Sequence, residues 1–357
     1  MSHEKETVGY HKVIERVSEF VSPLFTREEY TGSNRKNVYE WQCNTCSDVV
    51  HSHIDYGTIP RCKRCDPKTI SKAEIEIANF IRSHGIDIKT NTNEVLGNLE
   101  YDIYIPSKNL AIEYNGTYWH STKHKKANYH VDKYLRSKEL GVHLIQIFED
   151  EWGRSKEVIL SRIKNILGLD EKVMARKCVV KEIDSKMYKN FLDLYHLQGA
   201  TGSKHRYGLF FNEELMAVMG FSNSRYTSEG VELIRYCSKA TVIGGAGKLL
   251  KYFINAEKPT KIVSYANRCW SNGNLYRTLG FTDVTEKENN VGYWYVKKGI
   301  RYHRSSYTKG KLIKMGFDVD KTESEIMDEM GYLKIYDCGN YKFVMDLANH
   351  NFSNMSK

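Results

Sequence analysis

The chain has 357 residues, with 53 Lys plus Arg against 44 Asp plus Glu and a formal net charge of +9; at roughly 100 to 200 residues per domain, two or three domains are expected. Its 41% hydrophobic and 27% charged content is close to the soluble average and excludes a disordered or collagen-like chain. No uncharged apolar run approaches the roughly 18 residues that span a bilayer, and the polar start Met1-Ser2-His3-Glu4-Lys5-Glu6 lacks the apolar stretch of a secretory signal. A soluble, intracellular, cytoplasmic protein without membrane contacts is therefore expected. In a reducing compartment its eight Cys read as metal ligands plus buried thiols rather than disulfides. Cations in excess among 25 Tyr, 13 Phe and 5 Trp are compatible with a polyanionic partner.

Changes of pattern divide the chain into a Cys- and Tyr-rich block over 1–70, alternating helical and strand patterns over 71–169, and a second α/β pattern over 170–357. In the first block, Cys43-Asn-Thr-Cys46 and Cys62-Lys-Arg-Cys65 are two C-x2-C pairs fifteen residues apart, a spacing that brings four thiolates to one Zn²⁺. With all four positions filled by protein, the zinc is expected to be structural, and a block this small should draw most of its folding free energy from the metal. His51 and His53 between the pairs read as loop residues, and Lys63 and Arg64 as cations suited to phosphate.

In the second block, Ser71-Lys-Ala-Glu74 opens a helix with Ile77, Phe80 and Ile81 on its core side. Glu74 is either a catalytic acid or the partner in a capping box, with Glu76 as the fallback acid. Tyr101–Ile105 and Leu110–Tyr114 are β-rich runs joined by the turn Pro106-Ser-Lys-Asn109. Pairing Ile105 with Leu110 puts Ile103 opposite Ile112 and Asp102 opposite Glu113, so the two acids share a face. Like charges across a strand pair repel, which leaves two readings: a wet face with two solvated acids, or a pair holding a hard cation such as Mg²⁺. The sequence Asn115-Gly-Thr-Tyr-Trp119-His120, followed by Lys123, His124, Lys125 and Lys126, favours the second, with His120 as general acid or base for a phosphodiester. Asp132, at the start of the next helix, could hold that imidazole in one tautomer. An amphipathic helix then stops at Gly168, and 169–177 reads as a hinge.

The run from Ser71 through Trp152, with Glu74, Asp102, Glu113-Tyr-Asn-Gly-Thr-Tyr-Trp-His120 and Asp132 in order, resembles the very-short-patch-repair (Vsr-like) branch of the PD-(D/E)XK nucleases. Within it, the run looks most like the phage-encoded homing endonucleases of the EDxHD group, which often carry a zinc ribbon in front. The resemblance implies a core with a mixed sheet flanked by helices and Mg²⁺-dependent, sequence-selective cleavage of double-stranded DNA in a bacterial or phage-infected cell. It also implies that Asp102 and Glu113 bind the catalytic metal, that Glu74 supports it, and that His120 with Asp132 handles the proton. Asn115 stands where the wider superfamily usually has Lys, which makes His120 more important.

In the third block, Val231–Cys237 reads as a strand, Val242-Ile-Gly244-Gly-Ala246-Gly247 as a phosphate-cradling turn, Lys248–Ile254 as the helix it opens, Lys261–Tyr265 as a strand and Asn272–Phe281 as a helix with its exit. This order resembles the GNAT acyltransferase fold and, within it, the Mom-like proteins of phages. The likeness implies cofactor contacts at Gly244, Ala246 and Gly247 and an acid at Tyr276, although Thr241 replaces the usual Gln or Arg at the loop start. The alternatives to a nuclease are thus a DNA-base-modifying acyltransferase and a non-catalytic DNA-binding protein. Near the end, Thr322 to Glu325 has the spacing of a capping box. Overall, an α/β chain of α+β multidomain type is expected: zinc ribbon, nuclease core, GNAT-like domain.

Overall fold

The computed structural model describes residues 9–18, 20–32, 36–54, 60–62, 71–224, 230–285 and 291–348. The chain divides into two compact units, Met1–Asn79 and Phe80–Lys357. Among the described residues, no helix is long and apolar enough to cross a membrane.

In the first unit, helix α1 (Tyr10–Val17) precedes a three-stranded antiparallel sheet of β1 (Val21–Pro23), β2 (Val38–Cys43) and β3 (Val49–His53). Strict alternation along β2 turns Tyr39, Trp41 and Cys43 inward and Val38, Glu40 and Gln42 outward. Val13 and Val17, one turn apart on α1, join Trp41, Val50 and Ile54 in a core, and Phe25 packs its ring 4.8 Å from Trp41. The block thus buries more apolar surface than its small size led one to expect, fully burying each large apolar side chain being worth about 1.5 to 3 kcal/mol. His51 and His53 are strand residues of β3 rather than loop residues.

Helix α2 (Lys72–Ser83) carries the chain onward. The second unit begins with β4 (Lys89–Thr92), β5 (Tyr101–Ile105), β6 (Leu110–Asn115), α3 (Tyr129–Glu139), β7 (His143–Phe148) and α4 (Glu149–Leu167). These strands form a mixed sheet in the order β4-β5-β6-β7, antiparallel until the parallel pair β6–β7. The β5–β6 register is the one the alternation predicts, with Ile103 opposite Ile112 and Ile105 opposite Leu110. Helix α4 buries Trp152, Ile159, Ile163 and Leu167 along one stripe and ends at Gly168, whose φ of 78° lies in the left-handed region.

After β8 (Lys172–Met174) come β9 (Val179–Glu182), α5 (Ser185–Tyr195), β10 (His205–Phe211), β11 (Glu214–Asn223), β12 (Val231–Ser238), β13 (Thr241–Ile243), α6 (Gly245–Glu257) and β14 (Lys261–Asn267). They are followed by α7 (Asn274–Thr278), β15 (Thr282–Asp283), β16 (Tyr293–Lys297), β17 (Ile300–His303), α8 (Lys309–Lys314), α9 (Glu323–Glu329), β18 (Leu333–Tyr336) and β19 (Asn340–Asp346). The main sheet has the order β15-β19-β14-β12-β11-β10-β9. Strands β12 and β14 pair in parallel only through Val231–Ile262, Glu232–Val263 and Leu233–Ser264, although they run on to Ser238 and Asn267. Beyond that point they splay apart. Gly220 sits at the bulge between β11 and β12, and a Cβ there would lie 2.1 Å from the Tyr188 hydroxyl, so only glycine lets α5 approach the sheet.

Between β15 and β19 the chain inserts a second small sheet, β17-β16-β18, packed with α8 and α9 around Tyr295, Leu312, Ile326 and Met327. The Thr322–Glu325 capping box forms at the start of α9. This insertion meets the β4–β7 layer. Thr122 N–H donates to the Lys334 carbonyl at 2.7 Å, and Arg301 pairs with Asp150 at 2.6 Å and Glu151 at 2.9 Å.

Candidate functional site

The side chains of Asp102 and Glu113 converge on the β5–β6 pair. The Asp102 N–H donates to Glu113 Oε1 at 3.2 Å, and Asp102 Oδ2 accepts from the Tyr114 N–H at 2.7 Å. The parallel register sets Gln146 beside Glu113, and Gln146 Oε1 accepts from Asn115 Nδ2 at 3.3 Å. From α3, Lys133 brings its ammonium to Glu113 Oε2 at 2.5 Å, with both side chains about 5% exposed or less. Burial and the charge of Asp102 push the Glu113 carboxyl up to about 8 against the pull of Lys133. Burial works against the Lys133 cation as well, but Glu113 outweighs it and holds its pKa above the ordinary value. Two acids and one ammonium leave the cluster short of one positive charge when fully ionised. A proton on Glu113 would make it neutral, and the two carboxylates are hard oxygen donors of the kind that fit Mg²⁺.

Sequence reading missed Lys133. Asn115 is buried in the sheet, and a lysine entering from α3 stands against the carboxylates instead.

His120 is half-buried, and its Nδ1 lies 3.0 Å from Nε2 of buried His130. This corrects the expected partner. Asp132 is exposed and accepts from Asn128, because it lies off the α3 face that buries His130, Lys133, Tyr134 and Ser137. Glu74 accepts from the Ser71 N–H at 3.3 Å while Ser71 Oγ accepts from the Glu74 N–H at 3.1 Å, which is the capping box. Burial, with Lys125 and Lys133 nearby, pushes His120 down to about 4; burial and His120 push His130 down to about 3. Both rings are therefore neutral near pH 7. Because these folded values lie below the ordinary 6.5, the associated stability is whole above that pH and is lost as pH falls through 6.5 toward 4 and 3. In urea titrations from about pH 7.5 to about pH 5, wild type should lose about 2 kcal/mol more than His130→Phe, at about 1.4 kcal/mol per pKa unit. Glu113 is common to both proteins and cancels; parallel losses would show that His130 is not buried neutral.

Beside this site, Trp119 is 66% exposed and Tyr118 43% exposed, their rings 5.1 Å apart, with Lys123 over the Tyr118 ring and Lys125 over the Tyr129 ring. Exposed aromatic faces among lysines suit base stacking and phosphate contact. Trp119→Ala should weaken binding to duplex oligonucleotides carrying an unpaired base by about 1 to 3 kcal/mol, read by fluorescence anisotropy. Unchanged affinity would exclude stacking.

In the first unit, the sulfurs of Cys43, Cys46 and Cys62 all lie within 4.8 Å of one another, a group able to hold a metal. Cys65, together with Lys63 and Arg64, lies outside the described residues. Burial raises the Cys43 pKa, but hydrogen bonds from the Cys46 and Thr45 backbone together with those from the Cys46 and Cys62 side chains lower it overall, which favours a thiolate. A soft thiolate set fits zinc. Protein purified without chelator is expected to contain about one zinc per chain, and Cys62→Ser to lose it and soften the first unit; zinc-free wild type by elemental analysis would refute this.

In the third block, Gly245, Ala246 and Gly247 lie inside the first turn of the helix rather than before it. Gly244, at φ 76°, is the N-cap of α6 and offers no side-chain acceptor, so the amides of Gly245, Ala246 and Gly247 form an anion-receptive first turn. Lys248 donates to the carbonyls of Ala175 and Cys178 at 3.0 and 2.6 Å. The Tyr276 hydroxyl accepts from Ser264 Oγ at 3.2 Å, beside the splay, and burial raises its pKa.

No protein-family profile and no curated protein matches the chain. Solved structures similar to part of it include an acetyltransferase from Bacillus subtilis in complex with CoA, at 15% identity over 48% of this chain and 98% of that one, with TM-score 0.27. Others are a GNAT family acetyltransferase from Elizabethkingia anophelis with acetyl-CoA bound (14%, 48% and 99%, 0.28) and the IAA acetyltransferase from Bacillus cereus (13%, 48% and 99%, 0.26). Likeness at these scores decides nothing about activity, and the order of the seven-stranded sheet rests on its own pairing. The chain is a mixed α/β protein, with a four-stranded and a seven-stranded mixed sheet among the described residues.

Proposed function

We propose that the chain is a metal-dependent endonuclease acting on double-stranded DNA. The observation that carries this reading is the convergence of Asp102, Glu113 and the Lys133 ammonium on one buried spot of the mixed sheet. A divalent ion held by Asp102 and Glu113 would supply Lewis-acid stabilisation of charge at the scissile phosphate. The chain's own residues would do the rest. Lys133 holds Glu113 in place and adds fixed positive charge, His120 is neutral and able to take a proton, and the Lys123–Lys126 run with Trp119 would grip the backbone and a base. Glu74 and Asp132 contribute helix-end bonds in the described geometry, and a catalytic part for them remains a proposal to test by substitution.

The test incubates the full chain with a pool of randomised duplex DNA and Mg²⁺ and maps new ends by sequencing. Recurrent ends that vanish with EDTA support the reading, and intact DNA at saturating protein refutes it.

The sheet order and the splay of β12 from β14 beside the α6 N-terminus favour a second reading, a DNA-modifying acyltransferase. In this reading Gly244, Ala246 and Gly247 would hold the pyrophosphate of an acyl-CoA, which would supply the acyl group, and Tyr276 would be the acid that gives a proton to the leaving thiol. The same DNA incubated with acetyl-CoA and digested to nucleosides should then show an acetyl mass shift by mass spectrometry.

A further inference from the structure

We infer that the inserted sheet carries a second contact surface for the phosphate backbone of duplex DNA, formed by Arg304, Lys309, Lys311 and Lys314. The inference rests on the DNA-binding part of the proposed reading and not on its chemistry. Between Tyr293 and Phe317 the sequence has Lys297, Lys298, Arg301, Arg304, Lys309, Lys311 and Lys314 and no Asp or Glu. A run of one sign on a folded element makes a positive field that suits a polyanion. Arg301 is buried on Asp150 and Glu151, and Lys297 donates to the Met330 carbonyl at 3.0 Å, but Arg304, Lys309, Lys311 and Lys314 are exposed. Carboxylates of the neighbouring α9 are engaged elsewhere: Glu323 accepts from the Tyr293 and Tyr295 hydroxyls, Glu325 from Thr322 and Glu329 from Lys321. The four cations therefore keep their charge for an outside partner.

The fold presents them on a built surface. Strand β17 leads into the turn Arg304–Tyr307, where the Ser305 N–H donates to His303 Nδ1 at 3.2 Å and Lys311 Nζ donates to the Ser305 carbonyl at 2.7 Å. Leu312 is the buried residue of α8 and packs with Tyr295, Ile326 and Met327, which turns the lysines of that helix outward. Exposed Ser305, Ser306 and Thr308 lie among the cations, and such hydroxyls share phosphate contacts with Lys and Arg. Contacts then join this surface to the Lys123–Lys126 run. The Thr122 N–H donates to the Lys334 carbonyl, Lys334 Nζ lies 5.4 Å from the centroid of the Tyr293 ring, and the Arg304 guanidinium lies 4.8 Å from the same centroid. Strands β18 and β17 flank β16, so this basic stripe crosses the inserted sheet from edge to edge, two strand spacings or roughly 10 Å. A backbone gripped at Lys123–Lys126 can run on over Arg304 to α8. Such a stripe fits a duplex, with charge spaced regularly along its axis, better than a bilayer, whose surface helices bury a continuous apolar face, because α8 turns its Leu312 inward.

The test measures binding of the full-length chain to the randomised duplex pool by fluorescence anisotropy, without added Mg²⁺, at salt from about 50 to about 200 mM. Each phosphate contact contributes roughly 0.9 to the slope of log affinity against log salt. Lys309→Gln with Lys314→Gln should therefore flatten that slope by about 2, and the fourfold variant that adds Arg304→Gln and Lys311→Gln by about 3 to 4. Lys186→Gln with Lys189→Gln, which removes two exposed charges from α5, should leave it unchanged. All substituted side chains are exposed, so the variants should melt as wild type does. A wild-type slope in the folded fourfold variant overturns the inference, and so does an equal flattening in the α5 pair, which would mark a diffuse effect of net charge. Neither result touches the nuclease reading, which stands or falls on its own cleavage assay. Flattening as expected without any Mg²⁺-dependent cleavage refutes the nuclease reading alone, and wild type that binds no duplex at low salt refutes both. Phosphatidylserine vesicles that bind wild type but not the fourfold variant, with DNA slopes alike, would give the surface to a membrane and overturn the inference.

Discussion

Glu113→Gln is expected to lower Mg²⁺-dependent DNA cleavage at least about 10³-fold, about 4 kcal/mol of transition-state stabilisation, while the protein still folds and binds DNA. The carboxylate accepts from the Asp102 N–H on Oε1 and from Lys133 on Oε2, and the single amide oxygen of glutamine can keep one of these two bonds. What it loses is negative charge, and with it, on the proposed reading, one ligand of the cation. Affinity for DNA should be unchanged or slightly tighter, since a charge that repels phosphate has gone. Asp102→Asn should behave alike. Undiminished single-turnover cleavage by folded Glu113→Gln would remove the pair from the chemistry and leave the acyltransferase reading as the stronger one.

The second large effect concerns stability. Arg301 is 9% exposed, pairs with Asp150 and Glu151, and lies 3.9 Å over the Phe148 ring. Arg301→Leu leaves two acids at the start of α4 without their partner, and it should cost about 3 to 5 kcal/mol in chemical denaturation. Adding Asp150→Asn and Glu151→Gln should recover much of that loss, because replacing a buried ionic group outright is often close to neutral. A loss below about 1 kcal/mol in the single variant would mean that the contact is solvated.

The hairpin was legible because three signals agree: alternation, β-branched residues and a Pro-Ser-Lys-Asn turn whose Asn109 adopts a left-handed φ of 44°. The C-x2-C knuckles were legible from spacing, and the sulfurs of Cys43, Cys46 and Cys62 gather at one point among the described residues. Lys133 was not legible, because lysine in a helix ordinarily reads as solvated. The signal that could have found it is phase: His130, Lys133, Tyr134 and Ser137 recur at helical spacing on the buried face of α3, whereas Asp132 falls off it. Phase alone would also have argued against Asp132 as the partner of His120. The inserted sheet was the larger omission. Its strands are short and aromatic, and what they cover is set by contacts far along the chain that local pattern cannot carry.

Those distant contacts bear on when the protein becomes competent as it is made. Gln146 donates to the Cys338 sulfur 192 residues further on, and the Tyr134 and Tyr341 hydroxyls meet across 207. At roughly 5 to 20 residues per second of synthesis, the carboxylate sheet emerges from the ribosome tens of seconds before these distant partners. A growing chain therefore carries the paired acids before the segment around Cys338 and Tyr341 that packs beside them has been made.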